Sequence, residues 1–220
     1  GILHGYTYIP VNSGSLRTSY DYLITSARQQ GITPTDLTTV STNCSNLLSC
    51  SIPNTIASGV YKADGPVNLI GFTIAGGGDK SIIILVNGDF TIQTPIDVPI
   101  GSSVVFIAKG DIIVASNIGS TAPPAVYPPV TSDIEGFFSA DDNFILKGND
   151  DCFTGADKML FVEGSIVVNA ELNGGVLKNN RNLCADSNYP SLLIRERIDM
   201  LLNMPNLIKI PTYIWQEVAP

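Results

Sequence analysis

A recurring hydrophobic pattern dominates the chain: an apolar run, one polar residue, a glycine, and a shorter stretch in which apolar and polar residues alternate. Clear copies occupy residues 81–92, 103–114 and 159–168, and weaker copies lie at 69–74 and 134–138. Repetition at such intervals indicates a solenoid whose coils bend at the shared glycines. Spaced 17, 22, 26 and 28 residues apart, these are Gly71, Gly88, Gly110, Gly136 and Gly164.

The stretch after each glycine has the period of two that is typical of β-strands, whose successive side chains point to opposite faces. β-branched residues dominate it, and the prolines lie between the copies rather than inside them. One face of the clear copies carries Phe90, Ile92, Ile112, Val114, Ile166 and Val168, and the other carries Asp89, Asp111 and Ser165.

This pattern predicts a mainly all-β fold, a parallel β-solenoid (β-helix) in which like residues of successive coils stack about 4.8 Å apart. The glycines of the three clear copies should then occupy equivalent bends, and Ile92, Val114 and Val168 should share one interior column. A β-sandwich or jelly roll is the alternative, because many short strands separated by turns fit it too. The recurrence of one pattern with one face assignment favours the solenoid.

The chain is expected to have three parts. Residues 1–66 would hold an N-terminal strand, a capping helix and a small disulfide loop. Residues 67–177 would form the solenoid core, and residues 178–220 a C-terminal cap and a terminal strand.

Two short helices are predicted from apolar residues at helical spacing. The first spans about 15–30, with Ser15 as its N-cap and Gly31 just beyond its C-terminus. The second lies within 189–204. Because a solenoid exposes its apolar interior at both ends, we expect the first helix to cover the first coil and the second to cover the far end.

The two ends of the chain are strand-like, aromatic and almost uncharged. Such segments suit addition to an open sheet edge of a neighbouring subunit, where main-chain hydrogen bonds provide affinity. A head-to-tail contact of this kind does not close, so it gives a filament. The predicted assembly interface consists of Tyr6, Tyr8, Ile9, Tyr213, Ile214 and Trp215.

Composition narrows the possible partners. The 220 residues include 20 acidic and 12 basic side chains, a formal charge of −8, which argues against binding to nucleic acid or anionic membranes. No apolar run approaches the roughly 18 residues of a membrane span, so no membrane insertion is expected. The chain starts at Gly1 without methionine, which suggests a processed segment.

The four cysteines form two natural pairs, Cys44 with Cys50 and Cys152 with Cys184. Zinc binding is the alternative, but the chain has no Cys-x-x-Cys motif and its single histidine, His4, is remote in sequence. Two disulfides imply an oxidising compartment and, together with the low lysine content, an extracellular or cell-surface protein.

A family resemblance rests on the Gly-Asp-Ile and Gly-Ser-Ile-Val-Val steps of the repeats and on three later segments. These are the charged run from Arg195 to Asp199, Leu-Leu-Asn-Met-Pro at 201–205 and the closing Trp-Gln-Glu-Val-Ala-Pro at 215–220. Over about residues 67–220 the chain resembles the C-terminal region of large secreted surface proteins of uncultured, small-genome bacteria. The resemblance implies a β-solenoid and a cell-surface location, and it implies no reaction.

Two acidic clusters are candidates for chemistry. Asp89 and Asp111 occupy equivalent positions, so stacking would bring together two carboxylates of the kind that hydrolyse polysaccharides. The third copy carries Ser165 instead, and solvated turn residues are the simpler reading. Oxygen donors of the type that Ca²⁺ prefers also cluster in one stretch, although their spacing matches no EF-hand and a solvated loop is favoured. They are Asp141, Asp142, Asn149, Asp150 and Asp151.

The sequence thus predicts a non-catalytic structural subunit of an extracellular filament, pilus-like fibre or surface layer, without cofactor or resident metal. Its main partner would be further copies of itself. The alternative is a carbohydrate-binding adhesin or a polysaccharide-acting β-helix enzyme, with cell-surface carbohydrate as the partner.

Overall fold

The computed structural model describes residues 17–40, 42–74, 79–121, 127, 129–149, 152, 155–184 and 189–208. The strands are β1 (Thr35–Asp36), β2 (Cys50–Ile52), β3 (Gly59–Ala63), β4 (Val67–Phe72), β5 (Ser81–Val86), β6 (Phe90–Ile92), β7 (Ser103–Ala108), β8 (Ile112–Val114), β9 (Ser120–Thr121), β10 (Ile134–Ala140), β11 (Phe144–Leu146), β12 (Lys158–Val168), β13 (Leu177–Asn179) and β14 (Leu192–Arg195). The α-helices are α1 (Tyr20–Gln29), α2 (Leu37–Val40), α3 (Ala170–Asn173) and α4 (Ile198–Leu202), and 3₁₀ turns cover Thr42–Cys44 and Leu47–Ser49.

The strands form two parallel sheets, which confirms the parallel β-solenoid. The long sheet has the order β1-β3-β5-β7-β10-β12-β14, with β9 added antiparallel to β12, and the short sheet has the order β13-β11-β8-β6-β4-β2. The chain therefore alternates between the sheets and advances by one strand in each sheet per coil. Three-residue corners at 64–66, 87–89, 109–111 and 141–143 connect the long sheet to the short one.

Stacked phenylalanines fill the space between the sheets. Phe106 of the long sheet lies 5.2 Å from Phe90 of the short sheet and 5.3 Å from Phe138 of the next coil, measured between ring centroids. Beside them Ile92, Val114 and Leu146 are paired neighbours in the short sheet and are fully buried. Ile92 and Val114 thus share the predicted interior column.

The third copy of the sequence pattern aligns differently from the prediction. Phe138 pairs with Ile166 and Ala140 pairs with Val168, so Val168 belongs to the long sheet and not to the column of Ile92 and Val114. The reason is that β12 runs unbroken for 11 residues through Gly164. A Cβ at Gly164 would overlap the backbone of Gly136, so close packing of two strands requires this glycine.

Of the five predicted bends, only Gly88 and Gly110 lie in corners between strands. Gly71, Gly136 and Gly164 lie inside β4, β10 and β12 and are not bends.

The outer face of the long sheet is covered, so β5 and β7 are buried on both faces. Helix α1 and the segment around α4 pack there, contributing Leu23, Ala27, Met200 and Leu207 to the core. The two helices therefore lie along the side of the solenoid, and the prediction that they cap its ends was wrong. A continuous apolar outer face needs a lid along its length, which end caps would not provide.

Helix α1 begins later than predicted. Ser19 is its N-cap and accepts a hydrogen bond from the Tyr22 N–H, while Ser15 lies outside the described residues. Its C-terminus is as predicted: Gly31 has φ +70° and the Ile32 N–H donates to the Ala27 carbonyl at 2.8 Å. The second predicted helix is shorter, because Leu192–Arg195 forms strand β14 and only Ile198–Leu202 is helical.

The stack extends beyond residues 67–177 in both directions. It starts at β1 and ends at β14, so coils occupy residues 35–195. The six residues of the predicted assembly interface lie outside the described residues.

Candidate functional site

The far end of the solenoid is open in the part of the chain that the structure describes. Strands β13 and β14 are the last in their sheets and pair on one side only. Apolar side chains at this end remain accessible: Leu177 is 38% exposed, Ile194 39% and Val176 49%. Unpaired main-chain groups beside apolar side chains form an edge to which another strand can add.

The near end, where β1 and β2 also pair on one side only, is more fully covered in the described residues. Helix α2 and the two 3₁₀ turns lie between β1 and β2, and Leu37 and the Cys44–Cys50 disulfide are buried there. Strand β1 has only two residues, and the Asp36 carboxylate is engaged by the backbone N–H and the hydroxyl of Thr38. Such a short, capped edge offers little to an incoming strand.

The second disulfide joins Cys152 to Cys184, so both predicted pairings are present. It ties the loop after β11 to the loop after β13. The Asp157 carboxylate reinforces this link by accepting hydrogen bonds from the backbone N–H groups of Asn149 and Asn182 at 3.0 and 2.9 Å. These links join the two loops next to the exposed strands of the open end.

The carboxylates of Asp89 and Asp111 are equivalent, as predicted, but they serve the stacking of corners. Asp89 Oδ1 accepts the Asp111 backbone N–H at 3.0 Å, and Asp111 Oδ1 accepts the Asn143 backbone N–H at 2.8 Å. The Asn143 side chain continues the ladder by accepting the Val176 N–H at 3.2 Å. Asn143 could not be recognised as part of this ladder from the repeat pattern, because its corner carries no glycine.

Replacing Gly110 with alanine should destabilise the protein. The new Cβ would overlap Asp89 Oδ1 and press on the backbone of Gly88. The corner would have to shift and lose a charge-assisted hydrogen bond, at a cost of roughly 2 kcal/mol. Urea unfolding would measure this, with Gly65→Ala as a comparison because Gly65 lies in an equivalent corner and a Cβ there would meet only Leu47 Cδ1, at 3.9 Å. Equal stability of Gly110→Ala and the parent would contradict the ladder.

The acidic cluster that was a candidate for calcium binding does not assemble among the described residues. Buried Asp141 accepts hydrogen bonds from the Tyr20 N–H at 3.0 Å and from the Asn169 side chain at 2.8 Å, whereas the Asn149 N–H bonds to Asp157. Asp150 and Asp151 lie outside the described residues. No group of three or more acidic, histidine or cysteine side chains in the described part could hold a metal ion. Asp141 instead anchors the N-terminus of α1 to the solenoid.

A second polar network, which sequence analysis did not find, fixes the α4 segment to the long sheet. Arg197 donates to Glu135 Oε2 and to the Val98 carbonyl, both at 2.7 Å, and it forms an ion pair with Asp199. Glu163 lies beside Glu135 in register and pairs with Arg195. Each of these carboxylates has an arginine partner, so the network acts as an attachment point. The charged run at 195–199 was the one feature of the sequence that pointed to this network.

Four carboxyl groups with shifted pKa values determine how the free energy of unfolding should depend on pH. Burial raises the pKa of Asp133, Glu135 and Asp141, so folding makes these groups hold a proton more tightly. Stability should therefore rise as pH falls from neutral toward the ordinary carboxyl range. The hydrogen bond from Arg197 lowers the pKa of Asp199 to about 2, so its contribution is lost as pH falls from 3.8 toward that value.

We accordingly expect the urea midpoint to be highest in mildly acidic solution and to drop on further acidification. Asp199→Asn should weaken the drop on the acid side while leaving the rise from neutral pH in place. A midpoint that falls steadily from neutral pH downward would contradict the burial of the three carboxyls.

No helix in the described residues has the length and apolar character needed to cross a membrane. The two disulfides are compatible with a secreted or extracellular protein. Comparison of the chain with family models, with curated proteins and with solved structures finds no match.

Proposed function

We propose that the protein is a non-catalytic structural subunit of an extracellular assembly, a filament, pilus-like fibre or surface layer, built head to tail by strand addition. The observation that carries this proposal is the difference between the two ends of the solenoid. The outermost strands pair on one side only at both ends, but the far end presents β13 and β14 beside exposed apolar side chains, while the near end has only the short β1 and β2 beside a buried disulfide.

This difference favours one type of contact. Simple stacking of one solenoid on the next would need an extended open edge at both ends, and among the described residues the near end offers only the two-residue β1 and the three-residue β2. An extended segment of a second copy fits the far end better, because it can pair with β14 and place alternate side chains beside Leu192 and Ile194. The strand-like, aromatic terminal segments of the sequence are the natural donors.

A single substitution at the open edge tests the proposal. The parent protein should form linear assemblies as its concentration rises, observed by sedimentation velocity and negative-stain microscopy. Ile194→Lys should remain monomeric, because a charge would lie under the incoming strand. Ile70→Lys is the matched control, since Ile70 is a strand residue of similar exposure, 47%, far from the open end. It should assemble like the parent.

A parent that stays monomeric at every concentration, or an Ile194→Lys variant that assembles normally, would refute the proposal. Deleting residues 1–10 identifies the donor segment. A folded chain that no longer elongates would assign that role to the segment containing Tyr6, Tyr8 and Ile9.

Carbohydrate binding is a second candidate, favoured by an aromatic pair on the surface. The rings of Tyr127 and Tyr189 meet edge to face at 5.6 Å, and Tyr127 is 49% exposed. Exposed aromatic rings stack on sugar rings through their apolar faces. Retention of the parent, but not of Tyr127→Ala, on chitin, cellulose or peptidoglycan would support an adhesin. Equal retention of the parent and of Tyr127→Ala on all three polysaccharide materials would exclude this site.

A further inference from the structure

The chain contains two Asn-Gly steps, Asn87-Gly88 and Asn173-Gly174, and both asparagines are exposed. In such a step the backbone nitrogen of the glycine can attack the side-chain amide carbon of the asparagine, because no Cβ on the glycine obstructs the approach. The attack requires a free glycine N–H and a free asparagine side chain. The two Asn-Gly steps differ in whether the glycine N–H is free to react.

The Gly88 N–H has no hydrogen-bond acceptor among the described residues, although its counterparts in the next two corners do. The Gly110 N–H donates to the Gly88 carbonyl at 3.1 Å, and the Asp142 N–H donates to the Gly110 carbonyl at 3.2 Å. Among the described residues, the corner at 87–89 lacks the bond that the two following corners make. The Asn87 side chain also has no partner in the part of the chain that the structure describes.

Gly174 is protected instead. It lies at the C-terminus of α3 with φ +71°, and its N–H donates to the Ala170 carbonyl at 2.7 Å. This N–H must leave its hydrogen bond before the nitrogen can react, and the last turn of α3 must open with it.

We propose that Asn87 is a site of spontaneous deamidation in the folded protein and that Asn173 is not. The Gly88 nitrogen forms a bond to the Asn87 side-chain carbonyl carbon, the bond from that carbon to the amide nitrogen breaks, and ammonia leaves with the proton from Gly88. Water then opens the resulting succinimide at one of its two carbonyls, giving aspartate or isoaspartate. The net change is one water consumed and one ammonia released, with no oxidation.

Either product alters the corner. Aspartate places a new carboxylate in the corner column between Asp64 and Lys109 of the neighbouring coils. Isoaspartate routes the backbone through the side chain and lengthens a three-residue corner by one carbon. The corner is held in register by the Asn87 N–H bond to the Ala63 carbonyl at 2.9 Å. Protein converted to isoaspartate should therefore unfold at lower temperature than fresh protein.

The experiment compares both steps in one sample. Folded protein is incubated at mildly alkaline pH, and peptide mapping with enzymatic methylation of isoaspartate follows both asparagines. In the folded protein Asn87 should convert at least about tenfold faster than Asn173, because local opening limits only the latter. In the reduced, denatured chain the two rates should be similar.

Asn87→Gln provides the control, because glutamine would have to form a larger ring and should abolish the signal at this position. Faster or equal conversion of Asn173 in the folded protein would overturn the proposal. So would an unchanged Asn87 after a time in which the denatured chain has fully converted.

Discussion

Val114→Asp should unfold the protein. Val114 is fully buried in the short sheet between Ile92 and Leu146, and apolar side chains fill the space between the sheets around it. A carboxylate there would have no partner, and keeping it neutral would require a large increase in its pKa. The lost packing adds to this penalty, so we expect a loss of more than about 4 kcal/mol. Circular dichroism and urea unfolding would measure it.

The neighbouring residue provides a matched control. Ile113 belongs to the same strand but points out of the short sheet and is only half-buried. Ile113→Asp should cost about 1 kcal/mol, since the new carboxylate keeps its water. If Val114→Asp melts as the parent does, or if both variants lose the same stability, the interior column is assigned wrongly.

The parallel solenoid could be predicted from the sequence because its strands carry a local signal. Phe90, Ile92, Ile112 and Val114 alternate with outward residues, and all four are buried in the short sheet. The alignment of the third copy could not be predicted in the same way. Gly164 follows an apolar run just as Gly110 does, yet it lies inside a strand because it packs against Gly136 of the neighbouring coil. Such a contact is invisible in a single copy.

The repeat pattern did not predict that the helices lie along the side of the solenoid, although an apolar run in the sequence indicated it. The run 82–86 is apolar without interruption, and all five side chains are buried. Alternation would predict one covered face, whereas a continuous apolar run is typical of a strand covered on both faces. Reading this run together with the amphipathic helix would have placed α1 along the side of the long sheet.

The polar side chains that join one coil to another could be predicted from the sequence only in part. The equivalence of Asp89 and Asp111 followed from the repeat, but their role depends on backbone N–H groups that belong to the next coil. Glu135 and Arg197 are 62 residues apart and carry no motif. Contacts of this kind depend on which coil lies beside which, and loops of variable length conceal that in the sequence.

Arg181→Met should reduce the stability of the protein nearly as much as Val114→Asp does. Arg181 is buried and donates to the backbone carbonyls of Ala115, Lys147 and Lys158 at 2.9, 3.2 and 2.9 Å. These carbonyls belong to three successive coils, so one guanidinium satisfies the loops of all three. Methionine fills a similar volume without a donor, so the Lys147 and Lys158 carbonyls lose this partner and the Ala115 carbonyl keeps only the Ile118 N–H. We expect a loss of roughly 3–5 kcal/mol.

A second arginine distinguishes this role from a general effect of charge. The Arg195 side chain is half-exposed, pairs with Glu163 and lies 4.9 Å from the centre of the Phe161 ring. Arg195→Met removes the same charge and should cost about 1 kcal/mol, because the arginine is half-exposed and Glu163, although only 14% exposed, keeps the hydrogen bond from Ser132. Thermal unfolding should thus separate the variants by roughly 10 °C in a chain of this length. Similar melting of Arg181→Met and Arg195→Met would mean that water reaches the three carbonyls and that Arg181 does not join the coils.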